Sequence, residues 1–140
     1  MKEKLKGKIG EKFFEKILKK RRVKFEKINS WYDYSVLGNK VEIKSCNLSI
    51  KHTDNSYHVW RSGRFDFTSF FNRTKQFDEN VWIVFIVRYY EQCIVLGAIR
   101  AKELNKCRYI SLHKIRELNL YQFKVWIDLL REENKETNHK

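Results

Sequence analysis

Residues Val81 to Val87 read Val-Trp-Ile-Val-Phe-Ile-Val, an unbroken apolar run of strand length built from β-branched and aromatic residues. A strand with no polar face must be covered on both sides, so this run predicts the centre of a sheet within a layered α/β domain. Arg88 to Gln92 then turns the chain, and Cys93 to Ile99 returns it as the neighbouring strand. With 140 residues and neither a proline nor a low-complexity linker, the chain is read as a single domain over 1–140.

Upstream of this run, Lys2 to about Arg21 has helical periodicity: Leu5, Ile9, Phe13, Phe14, Ile17 and Leu18 recur at three- and four-residue spacing, with lysines opposite. Gly7 and Gly10 each cost a helix about 1 kcal/mol relative to Ala, which predicts close approach to a sheet or space left around Glu11. Glu11 falls at the edge of the apolar arc, off the lysine-rich face. Val23 to Ile28 reads as a strand.

Trp31 to Cys46 reads as a β-hairpin. Gly38-Asn39 is a two-residue turn signal, which would place Val36 opposite Val41, Ser35 opposite Glu42, Tyr34 opposite Ile43 and Asp33 opposite Lys44. Alternation then puts Asp33, Ser35, Glu42 and Lys44 on one face and Tyr34, Val36, Val41 and Ile43 on the other. Two converging carboxylates repel, and a hard divalent cation with oxygen ligands, such as Mg²⁺, offsets that repulsion. A solvated hairpin face with a cross-strand ion pair is the simpler alternative.

The formal charge of +13 favours a polyanionic partner, most simply nucleic acid, with a membrane surface as the competing one. Cys46, Cys93 and Cys107 are odd in number and widely spaced, which argues against a disulfide framework and for a reducing, cytoplasmic setting. No run of ~18 apolar residues could span a bilayer.

Between Asn47 and Ser62 the pattern is least regular, with Thr53 to Ser56 a turn signal and Tyr57 to Trp60 strand-like. It reads as an excursion near 47–64 in which Lys51, Arg61 and Arg64 can meet phosphates, while Tyr57 and Trp60 can stack or pack. Cys46, His52 and His58 fit no usual zinc spacing. From Asp66 or Thr68 to Phe77 a second helix is expected, burying Phe67, Phe70 and Phe71 and exposing Arg73 and Lys75 as further nucleic-acid contacts. Beyond residue 100 come a helical turn at Ala101 to Leu104, a short strand at Arg108 to Ile110, and Ser111 as N-cap for Leu112 to Leu118. A final helix from Tyr121 to Glu133 has Tyr121, Val125, Trp126, Leu129 and Leu130 along one side, either covering the sheet or forming a dimer interface. Asn134 to Lys140 are expected to fray.

The succession of a Gly-x-x-Gly-Glu helix (Gly7, Gly10, Glu11), then Asp33, then Glu42-x-Lys44 on the next strand resembles the PD-(D/E)xK nuclease superfamily, with Tyr32 where that family usually has Pro. The resemblance covers roughly residues 5 to 99. It implies a restriction endonuclease-like core, a mixed five-stranded sheet flanked by helices. It implies a metal-dependent phosphodiesterase acting on DNA, with Mg²⁺, or Mn²⁺ in its place, held by Glu11, Asp33, Glu42 and the carbonyl of Ile43. Lys44 would act electrostatically on the phosphate or the attacking water, and Ser35 would support a ligand carboxylate. Junction resolution, restriction and homing are the implied subtypes, and such enzymes work as homodimers or higher homo-oligomers. A non-catalytic DNA-binding module and an RNA-processing nuclease are the rival readings.

Overall fold

A computed structural model describes residues 2–28, 30–54, 57–67, 70, 78–104 and 108–138, with side chains described outside 2–7, 49–62 and 136–138. Its centre is a five-stranded mixed sheet in the order β1-β2-β3-β7-β8, from Phe25–Lys27 (β1), Tyr34–Val36 (β2), Asn39–Asn47 (β3), Trp82–Tyr89 (β7) and Gln92–Arg100 (β8). All neighbours are antiparallel except β3 and β7, which run parallel from Val41 beside Trp82 to Asn47 beside Arg88. The apolar run does occupy the middle, and every residue from Val81 to Arg88 is buried.

One face is covered by α1 (Lys2–Lys20) and α2 (Phe123–Asn138). Phe14 and Leu18 from α1 and Phe123, Trp126, Ile127 and Leu130 from α2 pack on Tyr34, Val36, Val41, Trp82, Val84 and Ile86. The expected packing stripe of α2 is rotated: Phe123 and Ile127 are buried while Tyr121 and Val125 are about half exposed. The helix also continues to Asn138, past the point where fraying was expected.

The sequence dictates how α1 ends. Arg22 takes a left-handed φ of 57°, Val23 N–H donates to the Leu18 carbonyl at 2.9 Å, and Arg22 N–H donates to the Lys19 carbonyl at 3.0 Å. This is a Schellman closure, with Val23 and Leu18 supplying its accompanying apolar contact in the core. Gly10 answers the question of the helical glycines: a Cβ there would stand 3.2 Å from both Cβ and Oγ of Ser45, so the missing side chain lets α1 lie close on β3.

The opposite face is covered by shorter pieces. Strands β6 (Arg64–Asp66) and β9 (Tyr109–Ser111) pair with each other, and Phe65, Phe67, Phe70, Leu104 and Ile115 pack on Ile83, Phe85 and Val87. The excursion after β3 is a hairpin of β4 (Ser49–Asp54) and β5 (Tyr57–Ser62), a regularity the sequence did not advertise. Asp66 belongs to β6, which corrects Asp66 as the expected helix start; the alternative start at Thr68, with residues 68, 69 and 71–77 of the expected segment, lies outside the described residues. Residues 112–117 form a 3-10 helix, and Ser111 precedes it without a side-chain capping bond.

Candidate functional site

The hairpin register differs from expectation by two residues. The turn is Leu37-Gly38, with φ of 49° and 80°, so Tyr34 faces Val41, Ser35 faces Lys40 and Val36 faces Asn39. Both turn residues being left-handed marks a type I′ turn, which favours Gly at its second position. Asn39 lies outside the turn and braces it, its amide donating to the carbonyls of Val36 at 3.3 Å and Leu37 at 3.2 Å. Because side chains alternate with period two, a two-residue slip keeps the residues of both strands on their predicted faces; Asp33, expected beside Glu42 and Lys44, is the exception, since it lies outside β2 and its carboxylate turns to the strand edge. The hydrophobic pattern therefore specified the faces and could not specify the turn. Ser35 loses its expected position opposite Glu42; its partners are Lys40 and, on the other side, Glu26.

Asp33 sits where β2 ends and the chain leaves the ladder. Its N–H donates to the Val41 carbonyl at 3.0 Å, its carbonyl accepts from Ile28 N–H at 2.9 Å, and its Oδ2 accepts from Ile43 N–H at 2.8 Å. The carboxylate thus takes the place a neighbouring strand would occupy against β3. The carbonyl of Ile43 points to the same edge as its N–H, as in any strand, and so toward Asp33.

Glu42 and Lys44 project from β3 onto the face away from the helices, beside Ile83 and Phe85 of β7. Glu42 is 3% exposed, and Lys44 Nζ lies 3.7 Å from its Oε2. The same Nζ stands 5.1 Å from the centroid of Phe67 and 5.2 Å from that of Phe70, both buried. An ammonium over two ring faces is held by their quadrupoles as well as by the carboxylate.

Glu11 approaches from the helix side. Burial pushes its carboxyl above the ordinary range, the nearby Asp33 charge pushes it further, and Lys27, whose Nζ is 3.6 Å away, opposes both. One turn along, Glu15 Oε2 accepts the buried Tyr34 hydroxyl at 2.6 Å; burial first, and then this bond, raise the Tyr34 pKa. Glu11 and Asp33 are therefore electrostatic neighbours, and Glu42 and Lys44 form a second pair on the other face of β3.

Among the described residues, no three His, Cys, Asp or Glu side chains stand close enough together to hold a metal ion as they are. Glu11 and Asp33 nevertheless have the chemistry of hard-cation ligands, two carboxylates in a mutual repulsion that a divalent ion would relieve. The basic candidates are less informative. Arg64 is exposed with its guanidinium 3.8 Å from the Tyr109 ring centroid, while the side chains of Lys51 and Arg61, and Arg73 and Lys75 altogether, lie outside the described residues.

Lys27 and the Phe67–Phe70 pair were missed as neighbours of the site. Lys40, also missed, was legible once the register is known, since Lys40, Glu42 and Lys44 alternate along one strand. No helix among the described residues is long and apolar enough to cross a membrane. No family model, curated protein or solved structure matches the chain.

Proposed function

We propose that this protein is a divalent-metal-dependent DNA endonuclease of the PD-(D/E)xK kind, selective for a structure or a sequence. The observation that carries the reading is the placement of Asp33, where β2 parts from β3 with its carboxylate on the Ile43 amide, beside a strand bearing Glu42 and Lys44 and close to Glu11. Asp33, Glu42, Glu11 and the Ile43 carbonyl are the groups that would hold Mg²⁺ or Mn²⁺. The bound ion supplies positive charge to the phosphoryl oxygens and lowers the pKa of an attacking water. Lys44, fixed between Glu42 and two phenyl rings, presents a positioned charge to the phosphate. The net charge of +13 supplies the sequence-independent attraction to DNA, and a homodimer would place two sites on two strands.

The second reading, a DNA-binding module without catalysis, is favoured by the Glu42–Lys44 ion pair, in which the acid already has a cation partner. Cleavage of labelled four-way junction, duplex, single-stranded DNA and RNA, in Mg²⁺ or EDTA, separates the two. Metal-dependent cuts in DNA that disappear in Asp33→Ala and Glu42→Ala are expected. Salt-sensitive binding with no cleavage in Mg²⁺ or Mn²⁺ would establish the module, and cleavage confined to RNA would change the substrate class.

A further inference from the structure

We propose that Lys40 is a second phosphate-binding residue of this site, engaging the nucleic-acid backbone beside the phosphate that Lys44 faces; the substrate class rests on the reading above. Lys40, Glu42 and Lys44 project from one face of β3, so a buried acid is flanked by two cations two positions away on either side. Each cation has an aromatic seat. Lys40 Nζ stands 5.5 Å from the Trp31 ring centroid and 5.8 Å from that of Tyr32, and these two rings meet edge to face at 5.0 Å. Trp31 belongs to the same apolar cluster as Phe67 and Phe70, which places both seats on the site face by a route independent of strand alternation.

A purely structural role for Lys40 would be its ion pair with Asp78, at 3.6 Å. Its partners are 42% and 39% exposed, and an open, solvent-screened pair of that kind contributes little, so a phosphate can replace the carboxylate at little cost. Asp78 also has other work, accepting the Asn80 N–H at 2.9 Å. The rings, by contrast, attract the ammonium itself, whichever anion it meets. Ordering that long side chain is a usual cost of binding, and here it is met before the ligand arrives. The α-carbons of Lys40 and Lys44 are about 13 Å apart along the strand, and their ammoniums sit on separate ring pairs, so each is placed to meet its own phosphate. Two successive contacts along one backbone satisfy the spacing.

The test is equilibrium binding of fluorescent junction and duplex DNA in EDTA over a salt series, for wild type, Lys40→Met, Lys40→Arg and Asp78→Asn. Removing one phosphate contact reduces the slope of log K against log[salt] by about 0.9, so Lys40→Met should lose close to one unit of slope and bind about 5–10-fold more weakly. Lys40→Arg should keep the slope, and Asp78→Asn should bind more tightly because a competing carboxylate is gone. A slope in Lys40→Met equal to wild type, or weaker binding by Asp78→Asn, would overturn the proposal, as would a wild type that binds neither DNA. Lack of Mg²⁺-dependent cleavage by wild type defeats the nuclease reading instead, and leaves the binding slopes to decide Lys40 separately.

Discussion

The two faces of β3 solve opposite problems. Toward the helices, Val41 joins a core of Phe14, Tyr34, Trp82 and Trp126, with Ile43 packed against it, and Ser45 is small so that Gly10 can approach. Away from them, Lys40, Glu42 and Lys44 project among aromatic rings of the second cluster. The same kind of residue does different work on each side: Phe14 and Trp126 exclude water, whereas Phe67, Phe70, Trp31 and Tyr32 also seat ammonium groups. What the contrast teaches is that an aromatic core can store charge when each cation is given a ring face and the acid between them a cation.

The contrast breaks most severely on the helix side. Trp126 is fully buried, edge-on to Trp82 at 6.0 Å, so Trp126→Ala should cost about 3–5 kcal/mol in denaturant unfolding. A cost below about 1 kcal/mol would mean that α2 does not seal this face. On the other side, under the proposed nuclease reading, Glu42→Gln should lower cleavage by ~100-fold or more, equivalent to about 2.7 kcal/mol of barrier, while unfolding free energy moves by only ~1 kcal/mol. Loss of fold together with loss of activity would make Glu42 a structural acid. Tyr34→Phe comes next. It removes the 2.6 Å bond to Glu15 and should cost about 1–2 kcal/mol by thermal unfolding, with the proposed metal-dependent cleavage retained.

The smallest effect concerns Cys46, on the site face just past Lys44. Burial pushes its thiol up to about 12, with Arg88 opposing. The unfolded chain ionises this thiol near pH 9 and the folded protein does not, so its contribution to stability is whole below pH 9 and is lost as pH rises toward 12. Stability measured from about pH 8 to about pH 10.5 should therefore fall less steeply in Cys46→Ala than in wild type. Equal slopes would show that the site face tolerates a charge there without a seat.

Much of this was legible beforehand because the signals were local and periodic. The apolar run at Val81–Val87, its return strand and the first helix with Gly10 need only pattern and length, whereas the mixed five-stranded sheet was implied by the family resemblance and is present in the fold. What stayed hidden depended on features that have no period. A turn at Leu37-Gly38 asks a leucine to adopt a left-handed φ, and the side-chain bonds of Asn39 to Val36 and Leu37, local but without a period, offset that cost. The pairing of β6 with β9 joins segments about 45 residues apart, and Arg88, placed in a turn by its charge, is buried at the end of β7. At the site, Glu42 and Lys44 could be read as neighbours from spacing alone. The rings under Lys44 could not, because Phe67 and Phe70 reach it through the fold and not along the chain.

The single parallel pairing in the sheet governs when the site can come into being. Val41 and Trp82 are 41 positions apart, and their strands can join only after that whole loop has closed, whereas the β2–β3 hairpin closes over two residues. Contacts of high sequence separation form late, since loop closure must precede the burial that rewards it. Asp33 can therefore find the Ile43 amide early, while Glu42 loses its water only when β7 docks. A nascent or partly unfolded chain would hold the carboxylates in solvent, charged and apart, and the assembled site would appear in the same step that completes the sheet.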